Sequence, residues 1–174
     1  EPAGSHQAGN QEGAGSDRNG RQKDHERSKG SLAMNGVNSG GSPEILLHAG
    51  PDEVAEALAA RLMARLTEIQ RDFRTPQIAL TGGRIATRAY QRLGDEGPNS
   101  AVDWSRVELW WGDERFVPAD DPDRNAKQAL DLLAKPLALN ADRVHEMPSS
   151  DGGLDLDQAA EAYARELGDV VFDI

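Results

Sequence analysis

Cysteine is absent from the 174 residues, which excludes disulfide bonds and thiolate chemistry. No apolar run approaches the roughly 20 residues that a membrane-spanning helix needs. The N-terminus also has no apolar stretch of the signal-peptide kind. Positive charge is in short supply. Lys and Arg number 19 against 30 Asp and Glu, a formal net charge of -11. A nucleic-acid partner calls for a basic footprint that this balance does not provide. A small anionic substrate needs only a few local donors, so it stays open. A zinc site is not expected either, since the carboxylates lack the helical His/Glu spacing of such sites. Asp120, Asp121 and Asp123 imitate a calcium loop, but the Gly and closing Glu of an EF-hand are missing. The expectation is a cytoplasmic protein with no cofactor, no metal, no nucleic acid and no membrane, acting on a small molecule. Its oligomeric state is left open.

Residues 1–43 are rich in Gly, Ser, Asn and charge and hold hardly any large apolar residue. Such a segment buries too little surface to offset its ordering entropy, so disorder is expected there. Met34 lies near its end, and an upstream extension is one reading of what precedes it. Residues 44–174 carry the folding signals. Ile45–Ala49 reads as a short buried strand, and Asp52 as a helix N-cap. Val54, Leu58, Leu62, Leu66, Ile69 and Phe73 recur at helical spacing, and Thr75-Pro76 ends that helix. Gln77–Thr81 reads as a strand, Ile85–Leu93 as a helix, and the segment from Val107 as the next strand. Residues 126–133 read as helix, Val144 marks a short strand, and Leu156–Leu167 forms one amphipathic helix with Asp155 or Asp157 near its start. Gly168 suits its end. Val170–Ile174 begins a further strand. Strands alternating with helices imply an α/β fold, Rossmann-like, with a mainly parallel sheet and helices on both faces. A chain that stops within an apolar strand is expected to be a fragment, truncated at the C-terminus.

Two stretches carry chemistry. Thr81-Gly82-Gly83-Arg84 lies between a strand and a helix, where glycines let backbone approach a ligand. Amides at the start of the following helix favour an anion, and Arg84 adds a charged donor. The other stretch is VELWWGDERFVPADDPDRN, Val107–Asn125. Gly112 ends its strand, and Asp113, Glu114 and Arg115 follow in a row. In open α/β sheets ligands bind outside the carboxyl ends of the strands, where this cluster falls.

The LTGG turn, WWGDERFVP, DDPDRN and the AAEAYARELG helix together resemble the 6-phosphogluconolactonase family. The resemblance covers roughly Ile45–Ile174 and is most specific over Trp111–Asn125. It implies the sugar-phosphate isomerase-like α/β fold and hydrolysis of 6-phospho-D-glucono-1,5-lactone to 6-phosphogluconate in the oxidative pentose phosphate pathway. By the resemblance, Gly82 and Gly83 fall on the sugar-phosphate loop, and Asp113, Glu114 and Arg115 on the acidic active-site turn. Asn125 falls on the asparagine that closes the same loop. The expected catalytic residues are Asp113 and Glu114. The expected substrate-binding residues are Gly82, Gly83, Arg84, Arg115 and Asn125, with Arg115 also restraining the charge of the acid pair.

The chain departs from the family pattern in two places. Many relatives carry a small hydroxyl residue after the glycines, where Arg84 and Ile85 stand here. The resemblance also implies a histidine general base in a Gly-x-Asp-Gly-His turn after a strand like VVFDI. His6, His25, His48 and His145 do not match it, so this chain alone is expected to be inactive or nearly so. His48 and His145 read as structural. Two alternatives remain: a related sugar-phosphate isomerase or deaminase, and a non-catalytic sugar-phosphate-binding domain.

Overall fold

A computed structural model describes residues 44–174, and the expectation of disorder for residues 1–43 lies outside them. The elements run α1 (Pro51–Arg71), β1 (Gln77–Leu80), α2 (Arg84–Glu96), β2 (Glu108–Trp111), α3 (Asn125–Leu133) and α4 (Leu156–Leu167). Ile45–Ile174 forms one compact unit. No helix among the described residues is long and apolar enough to cross a membrane.

The strand expected at Ile45–Ala49 does not form. An apolar run becomes a strand only where a sheet edge accepts it, and here Ile45 and Leu47 stand 82% and 91% exposed. Helix α1 starts two residues earlier than expected. Gly50 is its N-cap and Pro51 its first residue, a position where the missing N–H of proline costs nothing. Asp52 is therefore a first-turn acid rather than the cap. Ala55, Ala59, Leu66 and Ile69 form the buried face of the helix. Full burial of a Leu or Ile side chain stabilises by about 1.5–3 kcal/mol, so Leu66 and Ile69 anchor it. Leu58 is nearly half exposed. Phe73 lies beyond the helix end, at φ 58° and 89% exposed, so its helical spacing is a coincidence of sequence.

Strands β1 and β2 pair in parallel, Ile78 opposite Leu109 and Leu80 opposite Trp111, joined by the α2 crossover. A single parallel bridge from Leu109 to Val144 extends the pairing, supported by the His145 N–H donating to the Leu109 carbonyl at 2.8 Å. The strand expected around Val144 is thus one bridge long. Residues 170–174 run beside β1 but form no regular strand. Their pairing there is two backbone hydrogen bonds, Asp173 N–H to Gln77 O and Ala79 N–H to Ile174 O.

The two faces of this small sheet are both covered. Ile78, Leu80, Leu109 and Trp111 enter one cluster with Ala59 and Leu66 of α1, Tyr90 and Leu93 of α2, and Ala126, Ala129 and Leu133 of α3. Trp110 points the other way, edge-on to Tyr163 of α4 and to Phe172 and stacked on His145. Burial on both faces explains why Trp110 is as buried as Leu109 and Trp111, in place of the one-sided alternation of a half-exposed strand. Helix α4 opens on a full capping box, Asp155 and Gln158 satisfying each other's backbone amides. It closes on Gly168 at φ 52°.

Candidate active site

Because Leu80 and Trp111 are register partners, the turns that leave β1 and β2 emerge side by side. The Gly112 N–H donates to the Leu80 carbonyl at 2.9 Å. One residue on, the Thr81 hydroxyl donates to Asp113 Oδ1 at 3.3 Å. The glycine turn and the acidic turn, 30 residues apart in sequence, thus form one ledge at the carboxyl ends of the strands.

Tyr90 fixes the glycine turn from below. Its hydroxyl donates to the Thr81 carbonyl at 2.7 Å and accepts from the Thr81 N–H at 3.1 Å. Burial pushes the phenol above its ordinary value. The Thr81 hydrogen bond pulls it back in part, and the Asp113 charge raises it further. Gly82 sits against the Asn125 side chain, where a Cβ would meet Asn125 Oδ1 at 1.9 Å. Asn125 in turn donates from Nδ2 to the Asp113 carbonyl at 3.1 Å. This one amide therefore closes the glycine turn onto the acidic turn. Gly83 adopts φ 102° with open space where a side chain would be, a conformation that only glycine takes without strain. Gly83 is also the N-cap of α2, which starts with no side-chain cap and no acid in its first turn.

The three consecutive charges of the acidic turn point in different directions. Asp113 is exposed on the ledge beside Thr81. Glu114 turns inward, its side chain 3% exposed. Its Oε1 accepts from the amides of Arg115 and Asn125, both at 2.7 Å, and its Oε2 from the amide of Ala126 at 2.8 Å. It is the N-terminal cap of α3, supplied from eleven residues upstream. Arg115 does not restrain the acid pair. It is exposed and makes no ion pair within 4.0 Å among the described residues. The nearest guanidinium to Glu114 is that of Arg124, 2% exposed, with Nη2 at 3.9 Å from Glu114 Oε2 and 3.8 Å from Glu146 Oε2. Arg124 also donates to the Met147 carbonyl at 2.8 Å.

Two hollows flank this ledge. One is a cleft of about 500 Å³ lined by Gly83, Arg84, Thr87, Arg88, Arg115, Asp123, Asn125 and Gln128. It brings four of the five expected binding residues together around three guanidiniums, with Gly82 behind Asn125. The other is an apolar groove walled by Trp111, Phe116, Met147 and the α4 residues Leu156, Ala160 and Tyr163, with Arg115 again at its rim. Sequence reasoning passed over Thr87, Arg88 and Gln128. The i, i+4 step from Arg84 to Arg88 on one helix was the available signal. It also gave Arg124 no role, and nothing in the local pattern marks an arginine for burial under a carboxylate ten residues away.

Neither described histidine lines the cleft. His48 is exposed. His145 stacks on Trp110 at 3.8 Å between ring centroids. Its Nδ1 lies 2.7 Å from Glu166 Oε1 and its Nε2 2.9 Å from Glu108 Oε2. It ties α4 to β2 on the face away from the glycine turn.

The family model described as Glucosamine-6-phosphate isomerases/6-phosphogluconolactonase matches residues 49–174. A 6-phosphogluconolactonase of Streptomyces coelicolor is 42% identical over 128 residues, 72% of this chain and 49% of that protein. One from Mycobacterium leprae is 46% identical over 92 residues, 52% of this chain and 36% of that protein. Among solved structures, the 6-phosphogluconolactonase from Trypanosoma brucei superposes with a TM-score of 0.64 at 28% identity, covering 72% of this chain and 50% of that one. The chain spans about half the length, or less, of these curated relatives. With a match across the whole described unit from Ala49 onward, the chain belongs to the glucosamine-6-phosphate isomerase/6-phosphogluconolactonase family.

Proposed function

We propose that this chain supplies the sugar-phosphate-binding half of a 6-phosphogluconolactonase, which hydrolyses 6-phospho-D-glucono-1,5-lactone to 6-phosphogluconate in the oxidative pentose phosphate pathway of the cytoplasm. The observation that carries the reading is the joining, through Asn125, of the Gly82-Gly83 turn to the Asp113 turn beside a cleft with three arginines. The phosphate sits against the uncapped start of α2, where backbone amides and the helix dipole favour an anion. Arg84 and Arg115 add charged donors. The lactone ring then lies along the ledge towards Asp113.

The division of labour within the acidic turn follows from its geometry. Lactone hydrolysis needs a water deprotonated as it attacks and a developing oxyanion that is stabilised. Asp113, exposed on the ledge, orients the water or the base that activates it. Glu114 has its oxygens occupied by three backbone amides, so its part is to hold α3 and Asn125 in place. A histidine suits the base, since its ordinary value of about 6.5 lies near working pH. Neither His48 nor His145 is placed for it, so the base comes from outside the described cleft.

The test is an assay of the protein carrying this chain on 6-phosphogluconolactone and on unphosphorylated gluconolactone. The reading expects kcat/KM to favour the phosphorylated lactone by at least about a hundredfold, the range of two charge-assisted contacts. Equal rates on both lactones would remove the phosphate site from the reading.

A further inference from the structure

Arg88 has two possible partners, and one of them is already engaged. It stands one turn beyond Arg84 on α2 and lines the same cleft. Its Nη1 donates to Asp52 Oδ1 at 2.5 Å. Asp52 belongs to the first turn of α1, so the pair also bridges α1 to α2. Both side chains are largely in solvent, 47% and 69% exposed. An exposed pair of this kind adds little to stability and is readily exchanged. Among the described residues only one of the five guanidinium N–H donors is in use, and the planar fork is suited to bidentate contact with a phosphate. The cleft wall balances three guanidiniums against one carboxylate, that of Asp123. In a chain of net charge -11 that is a local reversal of sign.

We propose that Arg88 is a phosphate-binding residue of the cleft that Asp52 holds in reserve. Arriving phosphate draws the guanidinium off Asp52 and into the cleft, so ligand and Asp52 compete for one side chain. The inference rests on the sugar-phosphate reading of the cleft and adds to it a residue and a competitor. A tether between helices and a competitor for ligand make opposite predictions for Asp52. As a tether, Asp52 supports the site, and its loss does nothing for binding or harms it. As a competitor, it withholds a donor, and its loss strengthens binding.

Calorimetric titration of the chain with 6-phosphogluconate, with gluconate as the control, separates the two. Melting temperatures are recorded alongside for Arg84→Met, Arg88→Met and Asp52→Asn. The proposal expects Arg88→Met to weaken binding of 6-phosphogluconate by about tenfold, the scale of one charge-assisted hydrogen bond. It expects Asp52→Asn to tighten binding by about two- to fivefold, the scale of the exposed pair that is given up. Both variants lose the same ion pair, so their melting temperatures should fall equally and slightly. If Arg84→Met weakens binding while Arg88→Met does not, or if Asp52→Asn leaves affinity unchanged or lowers it, the reserve role is overturned and the cleft survives. If wild-type chain binds 6-phosphogluconate no better than gluconate, the sugar-phosphate reading falls, and this inference with it.

Discussion

Asp113 and Glu114 are neighbours in sequence with opposite surroundings, and the difference sets what each can do. Asp113 meets solvent and one hydroxyl, so its charge is available to a ligand. Glu114 is enclosed by three amides and a buried arginine. Replacing each by its amide should therefore split rate from stability. Asp113→Asn in the enzyme is expected to lower lactone turnover by at least about a hundredfold, the lower range for lost acid–base assistance, with little change in melting temperature. Glu114→Gln leaves Arg124 without its buried carboxylate partner and gives α3 a poorer cap. It is expected to cost at least about 2 kcal/mol of stability by urea denaturation. Should the two variants behave alike, either both losing rate only or both losing stability only, the separation of roles is wrong. Asn125 links the two, because its backbone is capped by Glu114 while its side chain holds the Asp113 carbonyl.

At the scale of elements, two tyrosines fasten helices to the sheet in the same manner. Tyr90 of α2 grips Thr81 by both its N–H and its carbonyl, and Tyr163 of α4 does the same to Trp111 at 2.9 and 3.0 Å. Burial raises both phenols above the ordinary 10.0. The backbone hydrogen bonds offset part of this, and the charges of Asp113 and Glu166 add to it. Above pH 10 the unfolded chain then gives up these protons before the folded one. The folded state binds more protons, and stability falls as pH rises. The contribution is fully present below the ordinary value of about 10 and is lost through the raised folded values. Tyr90→Phe and Tyr163→Phe should each flatten the alkaline decline of melting temperature between about pH 9 and 11. An unaltered slope in both would show that the phenols are not what titrates.

The helices and paired strands were legible because their periodicity and punctuation agreed with their burial. The α4 helix announced itself through Asp155, its apolar stripe and Gly168, and β1 and β2 through short apolar runs bounded by glycine and proline. Ile45–Ala49 misled because an apolar run says nothing about whether a sheet edge is open to it. Phe73 misled because periodicity cannot see that the chain has left the helix two residues earlier. That the glycine turn and the acidic turn belong to one place was readable from the family resemblance, whereas the arginine cleft beside them, with Arg88, was not. The inward turn of Glu114, the burial of Arg124 and the clamp of His145 between Glu108 and Glu166 did not. Each depends on residues 10 to 37 positions apart in sequence, which no local pattern encodes.

On the scale of the whole molecule, an acidic chain concentrates three arginines at one place, beside a glycine at positive φ and a helix start without a side-chain cap. Excess negative charge elsewhere slows the approach of an anionic ligand but leaves this local field intact, since charges beyond about 10 Å are largely screened at ordinary ionic strength. The apolar groove along α4 lies on the opposite side of Arg115 and offers no comparable donors. On the proposed reading, a ligand carrying a phosphate goes to the arginine cleft. Backbone amide chemical shifts, followed by NMR while 6-phosphogluconate is titrated into the chain, report that place directly. The largest changes should fall on Gly82, Gly83, Arg84 and Ile85, with smaller ones at Asp113 and Asn125. Changes centred on the α4 groove, or none at saturating ligand, would contradict the assignment of the glycine turn to the phosphate.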